Sequence, residues 1–550
     1  MAGAPAITFI VSALGYALML CAGPYWLDSG ELAAASFELG IAHAPGQPLA
    51  LLLGKLFCFL PLGDVAFRVG LGQLACGAGA AATVAWLGRR MARDLVDDGV
   101  TQEALGVAAG LLYAGSYAAL FQAIRPEVYA LSALLVLWTI AACQCFLDTR
   151  DPRHLGRAGL CFGLGLCNHH YLTLLGVTPA AIAILAGRPD VALWQGLRRG
   201  AIGTAAALLL YAYLPLRAAH DPIVDWGHPS TASSLWWVVS AQSFQKSAAL
   251  TPRGDALALV AALFSQLTPA WPVFALGGLY LCARRDRRRA AWLACALLGP
   301  IGARLLVAFD PGNPDAYGYL STAIAALALA GMIVPSAILG ALPLRLRRPL
   351  GALGVVAAAA LGLARAPAYS LAHVDDVRPL YTDLLAELPT GAVVVPSYFQ
   401  TTFSLDYLRV VEGMRPDLVY LPRHFLDQPG IAAALLRRDP RLGPFVRDGK
   451  LNPDALLGSG RPLFVEYDLD LSPRLVPISA EIAIGHLPTE AQGRRFALWQ
   501  SYLGWHRLCR LGAPAIELKR AELMLRRRAG PQGAADADSL AAGCASLRGR

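Results

Sequence analysis

The sequence predicts a mainly α-helical, polytopic membrane protein that carries a soluble α/β domain at its carboxyl end. Of its 550 residues, 56% are hydrophobic and only 15% are charged, whereas soluble globular chains carry about 25% charged residues. The mean hydropathy is +0.48. Apolar blocks alternate with short polar connectors as far as about Leu363, and the composition after Ala366 is that of a soluble domain. The two predicted parts are therefore residues 1–366 and 367–550.

The apolar blocks predict eleven membrane crossings, because a membrane-spanning helix takes about 20 apolar residues. The fifth and sixth blocks are short, and we expect them to be broken or tilted helices that meet at Asn168-His169-His170. The predicted spans are residues 5–23, 66–88, 104–122, 127–147, 155–168, 171–187, 200–216, 256–282, 290–308, 316–341 and 350–366.

The positive charges predict the orientation of the chain. The net charge is +9, but the arginine clusters adjoin apolar blocks and form no basic stripe with interleaved aromatic residues, so nucleic-acid binding is not expected. Every second connector is rich in arginine, namely 89–98, 148–157, 188–199, 283–289 and 343–349. The amino terminus is therefore expected in the cytoplasm and the C-terminal domain outside it. This predicts a multi-pass membrane protein whose C-terminal domain is extracytoplasmic.

Short strands are predicted in the C-terminal part, separated by helical stretches. Apolar runs at Ala392–Pro396, Leu418–Leu421 and Leu463–Tyr467 are typical of buried strands, and residues 494–528 are expected to be helical. No Gly-rich phosphate-binding motif occurs there, so no nucleotide site is predicted. Cys509 and Cys544 lie in this part, and their spacing leaves open whether they pair.

The connectors predicted to be outside the cytoplasm hold most of the unusual polar residues. Their gathering on one side of the membrane indicates a single site at the outer membrane boundary. These residues are Asp28, Glu31, His43, Arg125, Glu127, His169, His170, Arg217, Asp225 and Asp310.

Asp28 and Glu31 allow two interpretations. Three residues apart on a helix they face the same way, and Asp28 as N-cap with Glu31 at N3 would form a variant capping box. Alternatively, a carboxylate at the membrane surface acts as general base on an acceptor hydroxyl, which usually contributes about 10²–10⁴ in rate. One residue could serve as both cap and base.

Six ordered segments carry a resemblance to a known family. Asp28–Val69 begins DSGELAAASFELG and continues through HAPGQP to GDVAFRV, and the later segments are RPEVYALSALL, GLGLCNHHYLTLL, YLPLRAAHDPIVDWGHPST, LPTGAVVV and YLRVVEGMRPDLVYL. Together they resemble a bacterial family of membrane proteins with a domain of unknown function that is related to protein O-mannosyltransferases. The sequence departs from that pattern at Ala44, Gln47 and His228.

The resemblance implies a GT-C glycosyltransferase, which is a multi-helix membrane fold with its active site in an outer cavity and a polyprenyl-phosphate sugar as donor. Carried over, Asp28 is the expected base, with Glu31 orienting it or sharing the acceptor. The departures bear on the identity of the sugar or of the acceptor. A protein or glycan acceptor is expected, although the sequence does not decide between a protein, a glycan and a lipid. The resemblance to a bacterial family also implies the bacterial inner membrane, with the C-terminal domain in the periplasm.

A lipid-phosphate donor needs cations at the membrane boundary. The candidates are Arg125, Arg217 and Arg304, because guanidinium groups form bidentate hydrogen bonds with phosphate. Arg304 lies inside a predicted span, where an arginine costs about 2.5–3.5 kcal/mol on insertion scales. The alternative for Arg125 and Arg217 is that their side chains extend towards the interface from helix ends.

Other candidate residues have structural explanations that are equally simple. Glu127 and Tyr129 begin a span, where a carboxylate suits the helix dipole. His169 and His170 fit a polar kink, and they lack an obvious third metal ligand. Asp310 and Asp315 either cap the next helix or complete a divalent-metal site with Asp28, so metal dependence stays open. Trp226, Trp236 and Trp237 fit an interfacial aromatic belt, with sugar stacking as the alternative.

The hypothesis from sequence is an inverting sugar transfer from a polyprenyl-phosphate donor to an acceptor on the outer face of the membrane. A transporter or lipid flippase is the first alternative, because it also has many spans and intramembrane charges. Such proteins often contain inverted repeats with midplane sites, and neither is evident here. A membrane scaffold with a binding tail is the second alternative.

Overall fold

The computed structural model describes residues 3–186, 189–245, 253–306, 309–375, 377–397 and 399–465, together with residues 476–477, 483–484 and 538. The described chain is mainly helical, with apolar helices that cross the membrane several times, so the protein is an integral multi-pass membrane protein. The predicted helix over 494–528 and both Cys509 and Cys544 lie outside the described residues.

The first seven helices include the core of the membrane part and helix α2, which Asp28 precedes directly. Helix α4 begins at its N-cap Asp64, whose carboxylate accepts from the Ala66 N–H, and α5 begins in the same way at Asp98. The elements are α1 (Ala4–Met19), α2 (Ser29–Glu38), α3 (Pro48–Cys58), α4 (Val65–Ala92), α5 (Gly99–Ala114), α6 (Tyr117–Ala123) and α7 (Tyr129–Thr149).

Eleven further helices complete the membrane part. Helices α4, α7 and α17 are buried along most of their length, whereas α9 and α18 expose most of theirs and form the periphery of the bundle. The elements are α8 (Pro152–Leu185), α9 (Val191–Leu208), α10 (Tyr213–Ala218), α11 (Ala232–Val239), α12 (Gln242–Gln245), α13 (Arg253–Gln266), α14 (Trp271–Arg285), α15 (Arg287–Leu306), α16 (Pro314–Gly318), α17 (Ser321–Ala341) and α18 (Leu344–Tyr369).

The chain folds back sharply within α8, where two short spans were predicted to meet. His169 has non-helical backbone angles, φ −149° and ψ 92°. A Cβ atom added to Gly165 would lie 2.7 Å from Thr173 Oγ1, although residues eight apart in a straight helix are separated by about 12 Å along its axis. Asn168 at the turn donates to the Val128 carbonyl and to Ser132 Oγ at the start of α7. The two halves of α8 are therefore separate legs of a hairpin.

The hairpin reconciles the count of spans with the sequence. Seven helices of the described chain are long and apolar enough to cross a membrane, or nine when two bent pairs, α5 with α6 and α13 with α14, each count as one span. That count takes α8 once and omits α1, which is apolar but has only 16 residues. Adding α1 and the second leg of α8 accounts for the eleven predicted crossings.

Ion pairs connect the arginine-rich connectors to one another at one end of the bundle. Arginines in these connectors pair with aspartates of their own or neighbouring connectors, which brings all five connectors together on one face. The pairs are Arg90 with Asp148, Arg150 with Asp190, Arg289 with Asp94, Arg347 with Asp97, and Arg348 with Asp98. Because the predicted outer connectors lie at the other ends of these helices, the bundle has one basic end and one end with the candidate site.

The C-terminal part contains a sheet with strand order β2-β1-β5-β7-β6, in which β1 pairs in parallel with both β2 and β5. The three predicted strands are therefore present. The elements are α19 (Val377–Glu387), β1 (Val393–Val395), α20 (Phe399–Val411), β2 (Val419–Tyr420), α21 (Arg423–Leu426), α22 (Ile431–Arg438), β3 (Val446–Arg447), β4 (Lys450–Leu451), α23 (Pro453–Gly458), β5 (Leu463–Val465), β6 (Val476–Pro477) and β7 (Ala483–Ile484). The domain boundary at residue 366 stays a prediction, and α18 continues to Tyr369.

Helix α20 of the C-terminal part packs directly on α2. A Cβ atom added to Gly30 would lie 2.9 Å from the Phe403 carbonyl oxygen, so the glycine permits the close approach of the two helices. Farther along α20, the Tyr407 hydroxyl donates to Asp64, which also pairs with Arg378. The C-terminal part is thus anchored beside the segment that carries Asp28.

Candidate functional site

Asp28 occupies the N-cap position of α2, but its side chain makes no capping hydrogen bond. The capping interpretation of the sequence is therefore wrong in this respect, although the position was predicted correctly. The preceding residue, Leu27, has a φ of 65°, which is left-handed and costs a residue with a Cβ about 1–2 kcal/mol. The side chain of Asp28 is 29% exposed. Its carboxylate is consequently available to an incoming group.

Glu31 and His43 form a chain of polar contacts that ends at Asp28. Glu31 is buried and accepts hydrogen bonds from the backbone N–H of His43 at 2.7 Å and from its Nδ1 at 2.6 Å. The other ring nitrogen, Nε2, lies 3.7 Å from the nearer carboxylate oxygen of Asp28. His43 therefore lies between the two carboxylates of the DSGE motif.

The electrostatic environment changes the ionisation of this group. Burial raises the pKa of Asp28 to about 6; the charges of Asp315 and Glu31 add to the shift, and His43 and Arg125 oppose it. Burial alone would lower the pKa of His43, but the carboxylates of Glu31 and Asp28 outweigh it and raise that pKa to about 10. At neutral pH His43 is thus an imidazolium that holds Asp28 in its ionised form.

Gln47 completes the surroundings of His43, with its carboxamide nitrogen 2.9 Å from His43 Nε2. Gln47 is fully buried, and within the described residues its Oε1 has no hydrogen-bond partner. A half-turn of the carboxamide exchanges its oxygen and nitrogen in place, and the oxygen then accepts from the Nε2–H of the imidazolium. This orientation agrees with the raised pKa of His43 and satisfies the buried oxygen.

Arg125 is the second cation of the site and is completely buried. Its guanidinium group donates to Glu127 at 3.0 Å, to Gln122 Oε1 at 2.8 Å, and to Asp315. The rings of Tyr25 and Phe121 lie within cation–π distance of it. Burial, together with the charge of Asp315, raises the pKa of Glu127 well above its ordinary value, although Arg125 pulls it in the opposite direction. Arg125 is therefore a structural counter-ion for buried acids.

Three carboxylates converge around Arg125. Oxygen atoms of Asp28, Glu127 and Asp315 lie within 4.8 Å of one another, and such oxygen ligands suit a hard divalent cation. Two of the three, however, are already paired with Arg125. The guanidinium group of Arg125 therefore already balances part of the negative charge that would attract a metal ion.

Arg304 lies beside a neighbouring group of aromatic side chains. It is buried in the last turn of α15, inside the candidate span, as the sequence predicts. The guanidinium carbon lies 4.7 Å from the ring centroid of Tyr319. The ring of Tyr319 packs against the rings of Tyr129 and His169. Tyr129, His169, His170 and Arg304 thus form one polar-aromatic wall.

Other predicted residues lie away from Asp28. Arg217 donates to the carbonyls of Leu39 and Glu38, so it caps the C-terminus of α2 instead of reaching the acid cluster. Asp225 pairs with His228 at 2.7 Å between their side chains. Asp310 is exposed and bonds the Gly312 N–H in its own turn. Among the DPGNPDAY acids, Asp315 rather than Asp310 therefore belongs to the cluster.

Trp226 is buried, so the predicted membrane-interface position is wrong for this residue. Its ring lies 6.0 Å from His43 and is stacked on Phe244, with Phe399 of the C-terminal part 5.6 Å away. Trp236, by contrast, is largely exposed, as an interfacial tryptophan would be. A cluster of aromatic rings, drawn from the membrane part and the C-terminal part, therefore lies beside the imidazolium of His43.

Sequence reasoning missed Gln122 and Gln400, which hold Arg125 and the backbone of Leu27 respectively. Gln122 precedes Arg125 by three residues, a spacing that can bring side chains together near a helix end, so this contact had a weak signal. Gln400 lies more than three hundred residues from its partner, and no local pattern in one sequence reports such a contact.

The segment with the site is similar to a known domain. A family model described as the N-terminal domain of protein O-mannosyl-transferase TMEM260 matches residues 28–192. Protein O-mannosyl-transferase TMEM260 of Mus musculus is 32% identical over 196 residues, which are 34% of this chain and 27% of that protein. The match therefore spans about a quarter of that relative.

The fold is similar to that of ArnT from Cupriavidus metallidurans. Its crystal structure in the apo state is 12% identical, with a TM-score of 0.50, over 88% of this chain and 97% of that one. The structure of ArnT bound to undecaprenyl phosphate has the same identity and coverage, with a TM-score of 0.49. The likeness to the apo structure shows the fold alone, and it agrees with the GT-C arrangement expected from the sequence.

We expect Arg125→Met to destabilise the protein by about 3–5 kcal/mol, because it leaves Glu127 and Asp315 buried without their counter-ion. The loss of stability should be larger at alkaline pH. At acid pH the two carboxylates take up protons and no longer need a counter-ion. Arg441→Met is the control, since Arg441 pairs with Asp439 at the surface and such pairs contribute about 0–1 kcal/mol. Unfolding by SDS in mixed micelles measures both variants. Equal losses for the two would contradict the role of Arg125.

Proposed function

We propose that this chain is a membrane glycosyltransferase that moves a sugar from a polyprenyl-phosphate donor to a hydroxyl of a protein or glycan acceptor, in the manner of protein O-mannosyltransferases. The observation that carries the proposal is the uncapped, partly exposed carboxylate of Asp28, which lies against His43 and the acid cluster of Arg125. The similarity of residues 28–192 to an O-mannosyl-transferase domain gives it further support.

Asp28 is the proposed general base. Its carboxylate takes the proton of the acceptor hydroxyl while the acceptor oxygen attacks the anomeric carbon of the sugar. The bond from that carbon to the phosphate oxygen breaks, and the polyprenyl phosphate leaves with the bonding electrons. Attack on the face opposite the leaving group inverts the anomeric centre. His43 lies against the carboxylate and favours its ionised form, and Glu31 fixes the position of His43.

The leaving phosphate needs positive charge more than it needs a strong acid. Of the three arginines predicted for this role, Arg125 is engaged with Glu127 and Asp315, and Arg217 with the carbonyls of α2. We assign the phosphate to Arg304 because its guanidinium group adjoins Tyr319, and because Tyr129, His169 and His170 nearby supply hydrogen-bonding groups.

The site is proposed to face the extracytoplasmic side of a bacterial inner membrane, with the C-terminal part on the same side. The arginine-rich end of the bundle supports this orientation, because positively charged connectors favour the cytoplasm. Helix α20 lies against α2, at the opposite end.

Labelling of introduced cysteines on intact cells checks this orientation. A cysteine replacing the exposed Asp310 should react with a membrane-impermeant maleimide added outside, above the background of the unmodified chain. A cysteine replacing Arg288, which is exposed on the arginine-rich face, should react only after the membrane is permeabilised. The reverse pattern would place the site in the cytoplasm.

Asp28→Asn should reduce sugar transfer by about 10²–10⁴-fold, because the amide cannot take up the acceptor proton. The assay uses membranes that contain the full chain, supplied with a radiolabelled polyprenyl-phosphate mannose, and counts label in the acceptor fraction. Asp310→Asn is the matched control and should retain activity, since Asp310 is exposed and outside the cluster. Undiminished transfer by Asp28→Asn would remove the base assignment.

The rate should depend on pH through Asp28. A base acts when unprotonated, and because the pKa of Asp28 is raised to about 6, kcat/KM should fall about tenfold per pH unit below that value. An ordinary aspartate would move this decline to about pH 4. His43→Gln removes a positive charge that lowers the pKa of Asp28, so it should shift the decline to higher pH. A flat profile from pH 7 to pH 5 would contradict this assignment.

A further inference from the structure

Leu27, immediately before Asp28, adopts a backbone conformation that is unfavourable for a leucine. Leu27 has a φ of 65°, in a region where non-glycine residues are uncommon and where asparagine and aspartate are the usual exceptions. A leucine has no polar atom with which to stabilise this turn. An external contact must therefore hold it, and any movement of Leu27 also moves Asp28.

That contact comes from the C-terminal part of the chain. The backbone N–H of Leu27 donates to Oε1 of Gln400 in the first turn of α20. Gln400 is buried, and its Nε2 donates to Ser404 Oγ at 2.9 Å. Because the nitrogen is committed to Ser404, the oxygen of the carboxamide is directed at Leu27.

Helix α20 cannot easily move away from this position. Gly30 packs against the Phe403 carbonyl within the second turn of α20, and Tyr407 donates to Asp64 at the start of α4. Gln400, Phe403 and Tyr407 lie at intervals of three and four residues, so they occupy one face of the helix. This face of α20 therefore contacts Leu27, the first turn of α2 and the start of α4.

We propose that Gln400 is a positioning residue for Asp28, through which the C-terminal part sets the direction of the catalytic carboxylate. This inference rests on the proposed function, in which Asp28 is the base. It assigns to the C-terminal part a contribution to the transfer step itself, beyond the guidance of an acceptor.

The test compares three variants of the full-length chain in membranes. Gln400→Met removes the acceptor for the Leu27 N–H at similar volume and should lower kcat by about tenfold to hundredfold, as misplacement of a catalytic group does, with KM little changed. Gln400→Glu keeps an acceptor oxygen and should retain most of kcat. Gln428→Met is the matched control, because Gln428 also accepts from a membrane-part N–H, that of Gly227 at 2.9 Å, but does not contact Leu27.

A second substitution separates positioning from general damage to the fold. Asparagine adopts left-handed backbone conformations more readily than leucine, so Leu27→Asn should restore part of the kcat lost in Gln400→Met. The stability effects of the two substitutions should also be non-additive in SDS unfolding, a readout independent of activity. Additive effects with no rescue would overturn the inference.

The outcomes distinguish this inference from the proposed function. If Asp28→Asn is inactive while Gln400→Met has the kcat of the unmodified chain, the role of Gln400 is wrong and the base assignment stands. If Asp28→Asn remains active, the proposed function is wrong, and with it the role of Gln400 as a positioning residue for catalysis. Loss of kcat in Gln428→Met as large as in Gln400→Met would also overturn the inference.

Discussion

The buried guanidinium group of Arg125 is the constraint on which the candidate site depends. A charge removed from water is tolerated only when it is paired, and Arg125 has Glu127 beside it in sequence and Asp315 from α16. The same segment is fixed to α2, because Ser29 Oγ donates to the Pro126 carbonyl. Three distant stretches of the chain must therefore meet at this point. Their meeting places Asp28 next to the acids, and burial there raises its pKa.

The two ends of the bundle differ in how far their charged groups are removed from water. At the arginine-rich end the ion pairs are largely exposed, as for Arg150 with Asp190, so they add little stability and serve to bring connectors together. At the opposite end the pairs of Arg125 with Glu127 and Asp315 are buried, and a hydrogen bond from Arg125 to Gln122 supports them. A transporter site would be expected near the midplane. The polar groups described here lie at helix ends and in connectors, which favours chemistry at the membrane boundary.

Much of the fold could be predicted because lipid imposes a strong constraint on sequence. The apolar blocks, the arginine-rich connectors and the break at His169 were all readable from local composition, and so were the strands at Val393–Val395 and Val419–Tyr420. Trp226 was misplaced because burial against Phe244 and Phe399 depends on a domain contact that hydropathy does not encode.

The sequence indicated which residues could gather near Asp28, but it did not indicate the contacts that hold them. Asp28, Glu31 and His43 stand close together in sequence, and a short helix and turn bring them together by local geometry alone. The competition between capping and catalysis could not be decided in that way, because it depends on whether the carboxylate turns towards the first N–H groups of α2. The left-handed Leu27 turns the chain just before Asp28, and Gln400 holds that turn from another part of the protein. In our proposal, this contact from the C-terminal part directs towards the acceptor a carboxylate that would cap an isolated helix.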